Sequence, residues 1–69
     1  MTTKTLKVEG MSCDHCTQAV TRAVRALAGV QQVEVSLQKK SAEVRWDESV
    51  LAEADLAAAI EGEGYQVLP

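Results

Sequence analysis

Two cysteines, Cys13 and Cys16, lie close together near the start of the chain and are the only cysteines in the sequence. The segment that carries them reads Gly10-Met11-Ser12-Cys13-Asp14-His15-Cys16. Thiols this close in sequence cannot link distant parts of a small fold, so a stabilising disulfide explains the pair poorly. In a reducing compartment such a pair is typical of metal binding or of redox chemistry.

The number and softness of these ligands restrict the metal that the pair can bind. Two thiolates suit soft ions that accept two-coordinate binding, namely copper(I), mercury(II) and silver(I), and the spacing alone does not choose among them. A structural zinc site takes four ligands, whereas this chain offers two cysteines and one histidine, His15. We therefore predict Cys13 and Cys16 as soft-metal ligands. His15 is either a solvated loop residue or an auxiliary ligand when two chains share an ion.

The competing use of the pair is redox chemistry, because thioredoxin-like proteins also place two cysteines before a helix. Such folds are usually longer, and their motif often reads Trp-Cys-Gly-Pro-Cys, which this sequence lacks. No acid–base pair or other catalytic constellation accompanies the cysteines. We expect a carrier and not an enzyme, with a small dithiol oxidoreductase as the competing hypothesis.

The hydrophobic pattern predicts the elements that position the two thiols. Alternating apolar and polar residues predict strands at residues 5–8, 33–37, 42–46 and 65–68. Apolar residues at helical spacing predict helices at residues 14–28 and 52–61. The order βαββαβ with alternating strands predicts an α+β, ferredoxin-like sandwich, in which a four-stranded antiparallel sheet carries both helices on one face. The chain of 69 residues is expected to be one domain, residues 1–69.

The start of the first helix matters for the chemistry of the thiols. Unpaired N–H groups and a partial positive charge at a helix N-terminus favour thiolate over thiol, and the thiolate is the form that binds metal. Ser12 or Asp14 is a candidate cap for this start, and Gly29 suits the position after the helix end. Ser49 is the nearest candidate cap for the second helix.

The composition argues against several other classes of protein. The net charge of -3 and the pI of about 4.9 do not fit a nucleic-acid binder, which usually carries a basic stripe. No apolar run approaches the roughly 20 residues that cross a bilayer, so no membrane insertion is expected. Residues 1–6 lack the apolar stretch of a secretory signal, which makes the cytoplasm the expected compartment.

The segment Gly10 to Cys16 matches the signature GMxCxxC, and the sequence resembles the heavy-metal-associated domain family, in particular its bacterial copper chaperones. The resemblance covers nearly the whole chain, including the pair Gly64-Tyr65 before the last strand. It implies that Cys13 and Cys16 bind copper(I). It also implies a buried methionine beside the loop at Met11, and at Tyr65 the tyrosine of the bacterial chaperones, which can shield the site or hydrogen-bond a sulfur.

The resemblance also implies partners. Copper(I) would pass to the metal-binding domains of a copper-transporting P-type ATPase or, in some bacteria, to a copper-responsive repressor. Three alternatives stay open at this point: a mercury(II) or other soft-metal carrier, a metal-binding module of a larger ATPase, and a homodimer bridged by the metal.

Overall fold

The computed structural model describes residues 1–68 and confirms the predicted order of elements. The elements are β1 (Thr2–Glu9), α1 (Asp14–Arg25), β2 (Val30–Ser36), β3 (Ser41–Trp46), α2 (Glu53–Gly62) and β4 (Gln66–Leu68). The strands form one four-stranded sheet in the order β2-β3-β1-β4, and every neighbouring pair is antiparallel. The fold is therefore the expected ferredoxin-like α+β sandwich.

The core lies between the sheet and the two helices. Leu6 and Val8 of β1 alternate with exposed residues and face the helices, which contribute fully buried side chains in return. The largest fully buried side chains are Leu56, Ile60, Val8, Val20, Val24 and Val44. Burying one side chain of this size stabilises the fold by about 1.5–3 kcal/mol. The apolar stripes of the helices thus fix them to one face of the sheet, and the other face remains polar.

The first strand is longer than its sequence pattern indicates. It was expected at residues 5–8 but runs from Thr2 to Glu9. The reason is tertiary, because residues Thr2 to Lys7 pair with β3 from Trp46 to Ser41. Backbone pairing extends the strand over threonines whose side chains give no clear alternation.

The first helix ends at Arg25 and not near Ala28 as expected. After it, Leu27 turns to pack against the core. Gly29 has the positive φ that its type indicates, 97°, but it follows this turn and does not cap the helix. Its carbonyl accepts a hydrogen bond of 2.8 Å from the Asp47 N–H. A Cβ at this glycine would lie 2.7 Å from the Leu51 side chain, so the close approach requires glycine.

The start of the second helix corrects the prediction of a Ser49 cap. Ser49 instead donates its hydroxyl to the Asp47 carboxylate at 2.6 Å. The helix begins at Glu53, where the Asp55 carboxylate accepts the Ala52 N–H at 2.9 Å. This single contact satisfies a backbone donor at the helix start without a serine or threonine cap. The helix ends at Gly62, and β4 begins one residue later than expected, at Gln66.

The two ends of the sheet differ in character. At one end lie the β1–α1 loop, the start of β4 and the β2–β3 turn, where Val8 N–H donates to Lys40 O at 2.9 Å. At the other end Trp46 is 3% exposed and donates its indole N–H to Leu51 O at 3.0 Å.

Among residues 1–68, no helix has both the length and the apolar character to cross a bilayer.

Candidate metal centre

The loop between β1 and α1 is fixed by a glycine and a buried methionine. Gly10 has a φ of 99°, a conformation that L-residues rarely adopt, and it turns the chain away from the sheet beside Tyr65. Met11 is only 6% exposed and belongs to the hydrophobic core. A flexible thioether fills irregular core space well, so Met11 anchors the loop from below.

Cys13 is itself the cap residue of α1, which corrects the expectation of a Ser12 or Asp14 cap. Its backbone is extended, with φ -160° and ψ 173°, and no side chain caps the helix start. Its carbonyl accepts the N–H of Cys16 at 3.0 Å. The Ser12 hydroxyl lies 4.0 Å from the Cys16 sulfur, and Asp14 is the first residue inside the helix. The helix start therefore has no side-chain cap, and the partial positive charge of its first turn lies beside the two thiols.

The two sulfurs lie side by side at the surface. Cys13 Sγ and Cys16 Sγ are 3.7 Å apart, and both cysteines are free. Cys13 is exposed, whereas Cys16 is half-buried and packs against the core. A zinc–sulfur bond is about 2.3 Å long, so two sulfurs on one such ion lie at most about 4.6 Å apart. The observed separation therefore fits two ligands on a shared ion, and the exposed side leaves space for a third ligand.

The surroundings of Cys16 favour its thiolate form. Hydrogen bonding from the Ser12 backbone, followed by the Tyr65 hydroxyl, lowers the pKa of Cys16 to about 6. Burial opposes this change, and hydrogen bonding from Cys13 adds to it. At pH 7 a thiol with this pKa is about 90% ionised, whereas an ordinary thiol with a pKa near 8.5 is about 3% ionised. Cys16 is thus present in the form that binds metal.

Tyr65 is brought to the site by the turn before β4. It is half-buried, packs against the core, and its ring lies 3.4 Å from the position that a Gly10 Cβ would take. Its hydrogen bond to Cys16, burial and the negative charges of the neighbouring sulfurs and Glu63 raise the pKa of the Tyr65 hydroxyl. The phenol therefore keeps its proton at neutral pH and is available as a donor to the Cys16 sulfur.

His15 lies between the cysteines in sequence but does not join them in space as a third ligand. Its side chain is exposed in the first turn of α1. Within the described part of the chain, no group of three or more His, Cys, Asp or Glu residues is placed to hold one ion. The closed four-ligand arrangement of a structural zinc site is therefore not formed by residues 1–68. A role for His15 as an auxiliary ligand stays a prediction.

Two features at this end of the molecule were not foreseen from the sequence. The Ser12 backbone is the largest cause of the low Cys16 pKa, and no side-chain pattern reveals a backbone contact. The β2–β3 turn also reaches this end of the molecule, with Lys40 in a left-handed conformation at φ 51°. Glycine or asparagine would have marked that conformation in the sequence, but a lysine occupies it.

The fold and the site together define a class: a small α+β domain that presents two thiols at the start of its first helix. The profile of the Heavy-metal-associated domain family matches residues 5–66. The chain is 46% identical over 67 residues to the Copper chaperone CopZ of Bacillus subtilis strain 168, covering 97% of each sequence. The chain therefore belongs to the heavy-metal-associated domain family, as its motif indicated.

Solved structures support the same assignment. A CopZ metallochaperone superimposes with a TM-score of 0.94 at 39% identity, covering 97% of this chain and 100% of the other. A copper binding domain from HMA7, a P-type ATPase, gives a TM-score of 0.94 at 30% identity, covering 100% of this chain and 96% of that domain. The metallochaperone and the ATPase domain thus both have the same backbone fold as this chain.

Proposed function

We propose that this protein is a copper chaperone, a single domain that binds copper(I) through the thiolates of Cys13 and Cys16. The observation that carries the proposal is the pair of sulfurs 3.7 Å apart at an exposed helix start, one of them largely ionised at neutral pH. Two thiolates without further protein ligands suit a soft, low-coordinate ion. The relatives named copper chaperones support copper over mercury(II) or silver(I).

Copper(I) is the cargo of this site. The two sulfurs differ in their exposure, and this difference decides which of them a partner's thiolate displaces first. A cysteine thiolate of the partner attacks the bound ion from the exposed side, which gives a three-coordinate intermediate. Cys13 is then displaced first, because it is exposed to the incoming thiolates whereas Cys16 is half-buried. A second partner thiolate displaces Cys16 and completes the exchange. The ion is never released to water, and no bond of a substrate is made or broken, so the protein acts as a carrier.

The partner that we propose is the metal-binding domain of a copper-transporting P-type ATPase, with the cytoplasm as the place of exchange. An ATPase copper binding domain has the same fold as this chain. Two domains of one fold can each present paired thiols and approach each other through their exposed loops. A copper-responsive repressor with free thiolates is a second acceptor for the same chemistry.

Native mass spectrometry of the reduced protein, titrated with copper(I) without oxygen, tests the ligands. We expect one copper(I) per chain, retained against a moderate chelator and lost in both Cys13→Ser and Cys16→Ser. Asp14→Asn is the matched control, because it changes an exposed residue between the two cysteines that is not a predicted ligand, and it should keep the copper. The same spectra reveal a dimer bridged by metal. Retention of copper by either serine variant, or failure of the wild type to hold copper, would refute two-thiolate binding.

Two further measurements separate the competing functions. Competition between copper(I) and mercury(II) for the reduced protein distinguishes a copper chaperone from a mercury carrier. An insulin-reduction assay tests the dithiol oxidoreductase, since cysteine-dependent turnover would contradict a pure carrier. Transfer itself is tested by mixing the copper-loaded chain with an apo ATPase domain. Copper should appear on that domain, whereas it should stay with the chaperone when the domain's cysteines are replaced by serine.

A further inference from the structure

The strand β1 has neighbours of unequal length on its two sides. On one side β3 pairs with residues Thr2 to Lys7. On the other side β4 pairs only with Lys7 to Glu9. Among residues 1–68, no strand lies beside residues 2–6 on the β4 side. This stretch is therefore an open sheet edge, at the end of β1 opposite to the loop that leads to the two thiols.

Two residues of this open edge present their backbone groups to solvent. Val8 N–H points toward β3, since it donates to Lys40 O at 2.9 Å. Backbone groups of successive strand residues point alternately to the two sides, so the even-numbered residues of β1 face β3. Thr3 and Thr5 consequently direct their N–H and C=O groups outward, and both residues are exposed. Such an edge offers a ready template for another strand.

A second copy of this chain fits the open edge in one register. If two β1 strands meet antiparallel with their two-fold axis at Lys4, Thr3 of each copy pairs with Thr5 of the other. This register satisfies the four exposed backbone groups of each chain. An axis at Thr5 instead places Thr3 against the second copy's Lys7, whose backbone already faces β4. The Lys4-centred register thus pairs both outward-facing threonines of one chain with both of the other.

That register places the two Lys4 side chains directly opposite each other. Lys4 pairs with the buried Val44 of β3, so its side chain lies on the helix side of the sheet. There its Nζ is 2.7 Å from Glu53 Oε1, at the first residue of α2. The two side chains are 53% and 45% exposed, so the pair contributes little to stability. Like charges directly opposite each other on paired strands oppose the pairing.

We propose that Lys4, held in place by Glu53, prevents the edge Thr3–Thr5 from pairing with a second copy of this chain. An inward-facing charge on an edge strand is a known protection against edge-to-edge association. The residues directly before and after Lys4 are threonines, which favour strands and pair well across them. Lys4 is therefore the residue that keeps this stretch from acting as an interaction surface.

The test compares Lys4→Thr with wild type by sedimentation velocity of the metal-free protein, kept with reductant and a copper chelator. Lys4→Thr should self-associate with a dissociation constant at least tenfold lower than that of wild type. Lys7→Thr is the matched control, because it removes the same charge from the same strand where β4 covers the edge. It should remain as monomeric as wild type. Circular dichroism confirms that each variant is folded.

A second variant identifies the surface. Thr3→Pro in the Lys4→Thr background removes one outward N–H per chain and is tolerated on an edge strand, so it should restore the monomer. Amide hydrogen exchange at Thr3 and Thr5 should slow in the Lys4→Thr dimer. The proposal is overturned if Lys4→Thr stays monomeric, if Lys7→Thr associates equally, or if Thr3→Pro leaves the dimer intact. None of these outcomes depends on copper, so the proposed function stands or falls separately.

Discussion

The ionisation of Cys16 gives the most direct test of the site. Hydrogen bonding from the Ser12 backbone and the Tyr65 hydroxyl lowers its pKa to about 6, and Tyr65→Phe removes the second of these causes. We expect this variant to raise the pKa while the Ser12 contribution remains. The new value should therefore lie between about 6 and the ordinary thiol value near 8.5.

The expected magnitudes decide which measurement is informative. At pH 7 the thiolate fraction of Cys16 is about 90%, some 30-fold above that of an ordinary thiol. A thiolate of lower pKa is also a weaker nucleophile, by about 13-fold over 2.5 pKa units when the Brønsted slope is about 0.45. The two effects nearly cancel, which leaves only about a twofold difference in alkylation rate at pH 7. The pH at the midpoint of the rate profile, and not the rate itself, therefore reports the pKa.

The assay is alkylation of the reduced, metal-free protein across a range of pH. Cys13 and Cys16 lie on one tryptic peptide, residues 8–22, and fragmentation of that peptide assigns each modification to its cysteine. The wild-type profile at Cys16 should have its midpoint near pH 6. Thr21→Val is the control for loss of a hydroxyl, because the Thr21 hydroxyl donates to Thr17 O and not to a sulfur. Its midpoint should equal that of wild type.

Two results would refute this reasoning. A midpoint near 8.5 for folded wild-type protein would show that the helix start and Ser12 do not stabilise the thiolate. An unchanged midpoint in Tyr65→Phe would show that the phenol does not bond the sulfur. The denatured protein supplies the reference, since its thiols should titrate with the ordinary value.

Three further predictions concern the scaffold. Met11→Ala should lower the free energy of unfolding by about 2–5 kcal/mol in urea denaturation. Met11→Leu should lower it by less than about 1.5 kcal/mol, because the volume of the side chain is nearly kept. Equal losses in the two variants would contradict the anchor role of Met11. Hydrogen bonds from Ser49 lower the pKa of Asp47, so the ionised carboxylate stabilises the fold at neutral pH, and this contribution is lost as the pH falls. Ser49→Ala should raise the pKa of Asp47 in an NMR titration and weaken the acid dependence of stability. An unchanged pKa of Asp47 would contradict this prediction. Gly29→Ala should destabilise by more than about 1 kcal/mol because of its positive φ and its contact with Leu51, and unchanged thermal unfolding would be inconsistent with the structure.

The sequence predicted the element order and the fold because the apolar periods of strands and helices are clear in this chain. The predicted boundaries that were wrong are those that depend on tertiary contacts. The start of β1 depends on pairing with β3, and the end of α1 depends on the packing of Leu27. The start of α2 depends on Asp55, whose role is visible only once the helix register is known. Boundaries of this kind lie beyond local propensity.

The spacing and the GMxCxxC motif predict Cys13 and Cys16 as the metal ligands, and this assignment stays a prediction. The structure confirms that Met11 is buried, as the resemblance implied, but nothing in the sequence indicates the contacts that lower the pKa of Cys16. The sequence could not show that Ser12 acts through its backbone and not as a helix cap. Backbone contacts leave no trace in side-chain chemistry, so they become visible only in three dimensions.

The two aromatic residues lie at opposite ends of the sheet, which gives the protein two separate optical reporters. Trp46 pairs with Thr2 at one end of β1, whereas Tyr65 precedes the strand that pairs with Glu9 at the other. Seven residue steps along β1 span about 23 Å, so an ion at the thiols is too distant to quench the indole by contact. Indole fluorescence therefore follows unfolding, and tyrosine absorbance follows the site. One sample can yield the stability of the fold and the loading of the thiols at the same time.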